Sequence, residues 1–254
     1  MNPIKRLVKS FIPRKVQKRV LLAMYSGDQQ ECPCCGGRFR SFWPSGETAA
    51  SMRPNTLCPA CSSLERHRLL WLYIKANNQL LAGKRKVLHV APEPIFTRLL
   101  QSFPDVEYLS ADLESPLAMV KMDVADIQFP DNSFDVILCY HVLEHVPDDV
   151  QAMRELYRVL KPGGWAILQS PLELERAATY EDSSITAPHE REQAFGQRDH
   201  VRLYGRDYKD RLEKAGWTVK VDAFARELGA EKIARFSVNP EEDIYFCTKS
   251  SAAS

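Results

Sequence analysis

Several features of membrane and secreted proteins are missing from this 254-residue sequence. No apolar run approaches the roughly 18 to 20 residues that a membrane-spanning helix needs. The N-terminus lacks the apolar core and the small-residue cleavage site of a secretory signal. No internal repeat is present. We therefore expect a cytoplasmic protein with one domain, or with one domain and a small additional module.

Acidic residues are absent from the first 27 positions. The cations that precede the first acid, Asp28, are Lys5, Arg6, Lys9, Arg14, Lys15, Lys18 and Arg19. Because the whole chain carries a formal charge of only +1, the remainder is mildly acidic. A broad nucleic-acid-binding face is therefore not indicated outside this leader segment, residues 1–27.

Apolar residues of the leader, from Ile4 to Ile12, fall on one helical face before Pro13 interrupts the pattern. A basic amphipathic segment of this kind can lie on an anionic membrane surface, here through residues 1–21. It can also pack its apolar stripe on its own protein. We favour the second interpretation, because the segment is short and is broken by proline.

Five of the seven cysteines lie between positions 32 and 61. In a reducing compartment such clustering indicates a metal site and not disulfides. Cys32 with Cys35, and Cys58 with Cys61, form two Cys-x-x-Cys pairs that suit a tetrahedral zinc ion. Cys34 is a fifth thiol that can compete for a place. A site of four thiolates has no open position for water, so we expect a structural zinc in a module of residues 28–63.

Aromatic and cationic residues alternate inside this module: Arg38, Phe39, Arg40, Phe42, Trp43 and Arg53. They can stack on single-stranded bases, or they can supply the small core that a zinc ribbon otherwise lacks. We favour the core. His67, in a predicted helix over residues 64–81, is expected to be a packing or surface residue and not a metal ligand.

The stretch of residues 133–171 predicts a strand, a helix and a second strand. Phe134–Tyr140 is an apolar run bounded by polar residues, as in a strand buried on both faces, and a second such run spans Trp165–Leu168. Between them Pro147 suits a first helical position, and Lys161–Gly164 ends the helix. Because parallel strands bind ligands at their carboxyl ends, Tyr140–His145 should lie on the ligand side.

This stretch, FDVILCYHVLEHVPDD followed by ELYRVLKPGGWAIL, resembles class I S-adenosylmethionine-dependent methyltransferases. It is most similar to their small-molecule branch, which includes quinone-biosynthesis methyltransferases. The resemblance implies an α/β fold: a Rossmann-like, doubly wound, seven-stranded, mostly parallel sheet over residues 64–254. The cysteine module resembles the zinc ribbons and knuckles at the N-terminus of some rRNA methyltransferases.

The same resemblance implies that S-adenosylmethionine is the cofactor. The family's glycine-rich turn after the first strand is replaced here by Ala91-Pro92-Glu93-Pro94, so we expect a less close approach of the backbone to the cofactor. Glu93 either holds the methionine ammonium or is a helix N-terminal acid. Asp112 would accept from the ribose hydroxyls and Asp123 from the adenine amino group. The full set of cofactor residues implied is His89, Ala91, Glu93, Asp112, Asp123, Val124, Tyr140 and His141.

Other elements of this domain follow from pattern and family resemblance. Strands are predicted over Lys86–Ala91, Val106–Ala111, Trp217–Val221 and Ile244–Thr248, and a helix over Tyr204–Ala215 ends at Gly216. The last two strands should form an antiparallel pair at the sheet edge. Only ten residues separate Asp112 from Asp123, so the usual crossover helix there should be reduced to a loop.

Residues 172–205 show no clear element and are predicted to form a lid over the active site. His145 or His200 is the expected general base, since a histidine can accept a proton at neutral pH. Asp199 can form part of an acid/base relay with His200, although neighbouring side chains do not necessarily face one another. We expect O-methyl transfer to a small molecule or glycan. The alternatives are an RNA methyltransferase whose zinc module holds nucleic acid, and a non-catalytic binding module on the same fold.

Overall fold

The computed structural model of the protein describes residues 14–46 and 52–250. Their helices are α1 (Arg14–Tyr25), α2 (Glu65–Ala76), α3 (Pro94–Leu100), α4 (Asp149–Val159), α5 (Pro188–Phe195), α6 (Tyr208–Lys214), α7 (Phe224–Glu227) and α8 (Gly229–Phe236). Their strands are β1 (Ser26–Glu31), β2 (Arg38–Phe39), β3 (Trp43–Ser45), β4 (Arg53–Leu57), β5 (Arg85–Val90), β6 (Val106–Asp112), β7 (Val120–Lys121), β8 (Phe134–Tyr140), β9 (Leu160–Gln169), β10 (Tyr180–Glu181), β11 (Arg202–Leu203), β12 (Thr218–Asp222) and β13 (Ile244–Thr248).

The chain divides into two compact units. The N-terminal unit extends to Asn77 and also contains Phe224–Glu242, and the sheet unit contains Asn78–Ala223 and the chain from Asp243 onward. The predicted boundary between residues 63 and 64 therefore lies too early. The physical reason is Arg68 on α2, whose guanidinium donates to carbonyls of the cysteine module and of the segment after α8.

Two antiparallel ribbons and α2 form the body of the N-terminal unit. β1 pairs with β2, and β3 pairs with β4. The apolar leader pattern from Ile4 to Ile12 lies outside the described residues, whereas α1 begins immediately after it. Within the described part of the chain, no helix is both long and apolar enough to cross a membrane.

The sheet unit contains a seven-stranded sheet with the order β12-β13-β9-β8-β5-β6-β7. All neighbouring strands are parallel except at one edge, where β13 is antiparallel to both β9 and β12. The predicted α/β fold, a Rossmann-like mostly parallel sheet with an antiparallel edge pair, is confirmed. The sheet has the apolar strands of its class, since Val136, Ile137 and Leu138 of the central β8 are at most 1% exposed.

Helix α4 covers the middle of this sheet with Met153 and Leu156, which are fully buried. It starts two residues later than predicted, because Asp148 is the N-cap and its carboxylate accepts from the amide of Gln151 at 2.9 Å. Pro147 therefore precedes the helix. At the opposite end the chain enters β9 at Leu160, and Lys161 binds the Asp135 carboxylate at 2.9 Å, away from the carboxyl ends of the parallel strands.

Two loop predictions have different outcomes. Between Asp112 and Asp123 the described chain has only the two-residue β7 and no helix, as expected. The segment of residues 172–205 was expected to have no clear element, and this prediction is wrong. It contains β10, α5 and β11, with β10 and β11 paired to each other. The sequence pattern missed them because two of the three are two-residue strands and α5 has only one buried side chain, Phe195.

Candidate active site and metal centre

Four cysteines of the N-terminal unit converge on one point. The Sγ atoms of Cys32 and Cys61 are 3.6 Å apart, and those of Cys35 and Cys58 are 3.8 Å apart. All four sulfur atoms lie within 4.8 Å of one another. A tetrahedral zinc ion with Zn–S bonds of about 2.3 Å needs sulfur separations of about 3.8 Å, so these four thiols fit a zinc ion.

Tight turns aim the two pairs at this point. The amide of Gly36 donates to the carbonyl of Cys32 at 2.8 Å, and the amide of Ser62 donates to the carbonyl of Cys58 at 2.9 Å. The Ser63 hydroxyl lies 3.1 Å from Cys32 Sγ and 3.3 Å from Cys61 Sγ. Hydrogen bonds from the neighbouring thiols, that of Cys34 first, lower the pKa of Cys32 below its ordinary value. A thiolate is the form that binds a metal.

Cys34 lies beside Cys32 but outside the set of four converging thiols, and its sulfur is 3.7 Å from the backbone carbonyl oxygen of His67. His67 is also engaged, because its Nδ1 accepts the amide hydrogen of Leu64 at 3.0 Å at the start of α2. The geometry therefore assigns Cys34 and His67 to packing and leaves Cys32, Cys35, Cys58 and Cys61 as the metal-ligand set.

The aromatic residues near this cluster form the core of the N-terminal unit. Phe39 and Phe42 are 4% and 2% exposed, and their ring centroids lie 5.9 Å apart. The guanidinium of the fully buried Arg68 stacks over Phe42 at 4.3 Å and donates to the carbonyls of Thr56 and Ser63. These two rings have little surface left for stacking on bases, as the core interpretation predicted.

In the sheet unit, two residues adopt the left-handed conformation where strands end. Ala91 follows β5 with a φ of 49°, and His141 follows β8 with a φ of 55°. Each amide is held by the neighbouring strand: Ala91 donates to the carbonyl of Ala111, and His141 donates to that of Gln169, both at 2.8 Å. Left-handed backbone is unfavourable for residues with a Cβ atom, so both turns store strain at the ligand side of the sheet.

The predicted cofactor acids lie at this same edge. Asp112 ends β6 beside β5, and its Oδ1 accepts from the amides of Glu114 and Ser115 at 2.8 and 2.7 Å. Asp123 is exposed, and its Oδ1 accepts from the amide of Ala125. Glu93 is the N-cap residue of α3, although its side chain makes no capping hydrogen bond. Both aspartates thus stabilise turns, and these turns present carboxylates at the carboxyl ends of the parallel strands.

Three other residues assigned to the cofactor have side chains in the core. His89 is 1% exposed, and its Nδ1 lies 3.0 Å from the Tyr108 hydroxyl, which in turn lies 2.9 Å from the Thr97 hydroxyl. Val124 and Tyr140 are 5% and 3% exposed. The His89 ring is therefore held inside the core by packing and by the Tyr108 hydroxyl, and it does not reach the ligand side.

Polar side chains from the loop after β8 meet two residues from the segment before β11. We call this group the histidine cluster: His141, Glu144, His145, Asp199 and His200. His145 and His200, which were predicted separately, have ring centroids 4.7 Å apart. Asp199 faces His145 and not its neighbour His200, because its Oδ2 lies 3.3 Å from Nδ1 of His145. The structure thus brings the two candidate bases together and places Asp199 beside His145.

Glu144 is the member of the cluster that sequence analysis missed. Its side chain is 1% exposed, accepts from the Ser170 hydroxyl at 2.9 Å and lies 3.4 Å from Nδ1 of His141. Burial alone would raise the pKa of this carboxyl, but the hydrogen bond and charge of His141 outweigh burial and lower it. The available signal in the sequence was a single acid within the stretch Val142-Leu143-Glu144-His145-Val146, which is otherwise largely apolar.

Burial dominates the electrostatics of His200, which is 5% exposed. Loss of solvent lowers its pKa below the ordinary 6.5, although the charge of Glu144 acts in the opposite direction. His200 is therefore neutral at pH 7 and able to accept a proton.

Arg202 fixes the segment of residues 172–205 to the loop after β8. Its guanidinium donates to the carbonyls of Leu143, Val146 and Pro147, and to Glu181 at 2.9 Å. The Tyr204 hydroxyl donates to Asp149 at 2.7 Å, and Arg211 binds the same carboxylate at 2.7 Å. Arg202 and Tyr204 thus anchor the predicted lid segment to the loop after β8 and to α4. Beside them lies an open cavity of about 510 Å³, lined among others by Asp148, Asp182 and Arg191.

Comparison with known proteins identifies one segment. Residues 87–168 match the family model described as a methyltransferase domain. Over 54 residues the chain is 46% identical to the demethylmenaquinone methyltransferase of Listeria welshimeri, which covers 21% of this chain and 22% of that protein. Over 52 residues it is 44% identical to the sterol 24-C-methyltransferase of Aspergillus fumigatus, which covers 20% of this chain and 14% of that protein.

Among solved structures, an S-adenosylmethionine-dependent methyltransferase from Mesorhizobium loti is similar with a TM-score of 0.45 and 18% identity, over 70% of this chain and 97% of that one. By contrast, the chain spans only about a fifth of the length of the curated relatives that it matches in sequence. The matched residues run from β5 to β9 and include His141, Glu144 and His145 of the histidine cluster. Residues 87–168 are therefore similar in sequence to a methyltransferase domain.

Proposed function

We propose that the chain is an S-adenosylmethionine-dependent methyltransferase that methylates a hydroxyl group of a small molecule or glycan. The observation that carries this proposal is the histidine cluster, in which the ring of His200 lies against that of His145 in the matched segment, with centroids 4.7 Å apart. A hydroxyl acceptor must lose its proton during transfer, and a positioned histidine accepts such a proton.

The carboxyl ends of β5, β6 and β8 offer groups that fit the cofactor. Asp112 and Asp123 present carboxylates suited to the ribose hydroxyls and the adenine amino group, as the family resemblance implies. The left-handed Ala91 gives the turn after β5 a glycine-like backbone without a glycine. When bound, S-adenosylmethionine supplies an electrophilic methyl group on a sulfonium.

The hydrogen bonds of the cluster select the tautomers that a base needs. Nδ1 of His145 lies 3.3 Å from the backbone carbonyl oxygen of Asp199, and Nδ1 of His200 lies 3.2 Å from that of Phe195. Because a carbonyl oxygen only accepts, each Nδ1 carries the proton and each Nε2 keeps its lone pair. Either Nε2 can then take a proton from an acceptor hydroxyl.

The N-terminal unit completes the proposal with a structural zinc ion on Cys32, Cys35, Cys58 and Cys61. Support comes from the sulfur separations of 3.6 and 3.8 Å and from the surrounding turns. Four protein ligands fill a tetrahedral site, so the metal would stabilise this unit and take no part in methyl transfer.

Calorimetric titration with S-adenosylmethionine and S-adenosylhomocysteine tests the cofactor first. Absence of binding would leave a non-catalytic module on the same fold. Next, His145→Gln and His200→Gln should each lower kcat by about 10²- to 10⁴-fold while the Kd for S-adenosylhomocysteine stays unchanged. His189→Gln is the matched control, because His189 is an exposed histidine on α5.

The acceptor is tested separately. A hydroxyl-specific assignment needs mass spectrometry of the product, since one relative is named for carbon methylation. Methylation of RNA, with binding that weakens steeply with salt, would instead support an RNA methyltransferase. Activity that requires added Mg²⁺ would contradict the base assignment and point to cation binding in the histidine cluster.

A further inference from the structure

Helix α1 of the N-terminal unit carries an exposed apolar stripe. Val16, Val20 and Met24 are 45%, 55% and 65% exposed, and Leu21 beside them is 38% exposed. The spacing of four residues places the first three on one face of the helix. Such a run of large apolar side chains in contact with water is unfavourable unless something covers it.

The C-terminal end of α1 is held by contacts with its own unit. Tyr25 packs edge to face on Trp43, with ring centroids 5.6 Å apart, and its carbonyl accepts the amide of Arg40 at 2.8 Å. These contacts fix the end of the helix to the antiparallel ribbons. The exposed stripe therefore belongs to a helix whose C-terminal end is anchored to its own unit.

The positive charge of α1 restricts the kind of partner that can cover the stripe. α1 contains Arg14, Lys15, Lys18 and Arg19 and no acid, and residues 1–13 add Lys5, Arg6 and Lys9. Covering the stripe with residues 1–13, or with a second copy of α1, would bring cations against cations. A surface that is both apolar and anionic is complementary in both respects.

We propose that α1 is a docking element for an anionic lipid surface, in which Val16, Val20 and Met24 insert at the interface and the positive charge of the segment attracts the headgroups. Peripheral amphipathic helices bind membranes through this combination of apolar area and positive charge. Each Lys or Arg near an anionic leaflet adds to this attraction. Nucleic acid is also anionic, but its phosphates would leave the apolar side chains in water.

Co-sedimentation of the full chain with vesicles tests this proposal. The protein should pellet with mixed phosphatidylserine–phosphatidylcholine vesicles and remain in solution with phosphatidylcholine alone. Val20→Ser combined with Met24→Ser should weaken partitioning by about tenfold or more, because two inserted apolar side chains are lost. Lys18→Glu combined with Arg19→Glu should also abolish the preference for anionic lipid.

The matched control is Leu117→Ser combined with Met119→Ser, which removes two exposed apolar side chains from the sheet unit (71% and 58% exposed) and should leave partitioning unchanged. Far-UV circular dichroism and S-adenosylhomocysteine affinity verify that each variant is folded. The proposal is overturned if no protein pellets with anionic vesicles, if the α1 and control variants behave alike, or if RNA and not lipid retains the protein.

Discussion

The rings of His145 and His200 meet edge to face with centroids 4.7 Å apart, although 54 residues separate them in the chain. His145 belongs to the turn after β8, and His200 belongs to the segment that Arg202 fixes over that turn. The contact joins the segment that matches a methyltransferase domain to residues 172–205.

The pH dependence of kcat/KM should report the electrostatics of His200. Burial lowers its pKa below 6.5, so the neutral, active form persists into mildly acidic solution and activity is lost only as pH falls below that value. Glu144→Gln removes the negative charge that raises this pKa, so the acidic limb should move to still lower pH. An acidic limb that moves upward, or that does not move, would contradict the assignment of His200 as base. The side chains of His145 and Asp199, whose charges also affect His200, are retained in this variant.

Zinc content should depend on Cys58 and not on Cys34. Cys58→Ser removes one of four converging sulfur atoms, whereas Cys34 faces the carbonyl of His67. We expect the Cys58→Ser protein to lose most of its metal, because a structural zinc ion needs four ligands. Loss of the metal should also destabilise the unit, since structural zinc supplies about 10 kcal/mol or more of apparent folding free energy. Elemental analysis of both proteins, purified side by side, is the measurement. Equal metal content in the two variants would show that the ligand set is wrong.

Arg202→Met should destabilise the sheet unit by about 3 to 5 kcal/mol, because it leaves three carbonyls of the loop after β8 without their charged donor and removes one of the two guanidinium groups that bind Glu181. Urea unfolding measures the free energy, and limited proteolysis should show new cleavage within residues 172–205. Arg198→Met is the control: its guanidinium is 71% exposed and pairs with Glu192, so we expect a change of about 0 to 1 kcal/mol. If both variants have the same stability, Arg202 is not the anchor of the lid.

Ala91 offers a test of backbone strain at the cofactor edge. Since its φ is 49°, Ala91→Gly should relieve strain and offset the entropy that glycine loses on folding, leaving stability within about 1 kcal/mol of the original. Ala91→Val should cost about 1 to 3 kcal/mol, because a β-branched side chain is poorly tolerated in this conformation. Thermal unfolding of the two variants compares them directly. A valine variant as stable as the glycine variant would show that the turn is not strained.

Much of the fold followed from local pattern. The apolar run of β8 and the helical spacing before Lys161 predicted a parallel crossover unit, and β13 was predicted with its observed bounds. The short distance between Asp112 and Asp123 excluded a helix there. Such elements are predictable because burial on a sheet imposes a repeating apolar pattern over many residues.

The sequence by itself determined the parallel sheet, the four-cysteine set and the two candidate histidines. Only the tertiary structure decided that the Asp199 carboxylate lies beside His145, that Glu144 is buried next to it, that Cys34 lies outside the set of four converging thiols, and that residues 172–205 contain short elements anchored by Arg202. Each of these outcomes depends on contacts between residues far apart in the chain, such as Arg202 with Leu143 or Arg68 with Ser237. No periodic pattern encodes a contact of that kind, because a single buried side chain leaves no repeat in the sequence.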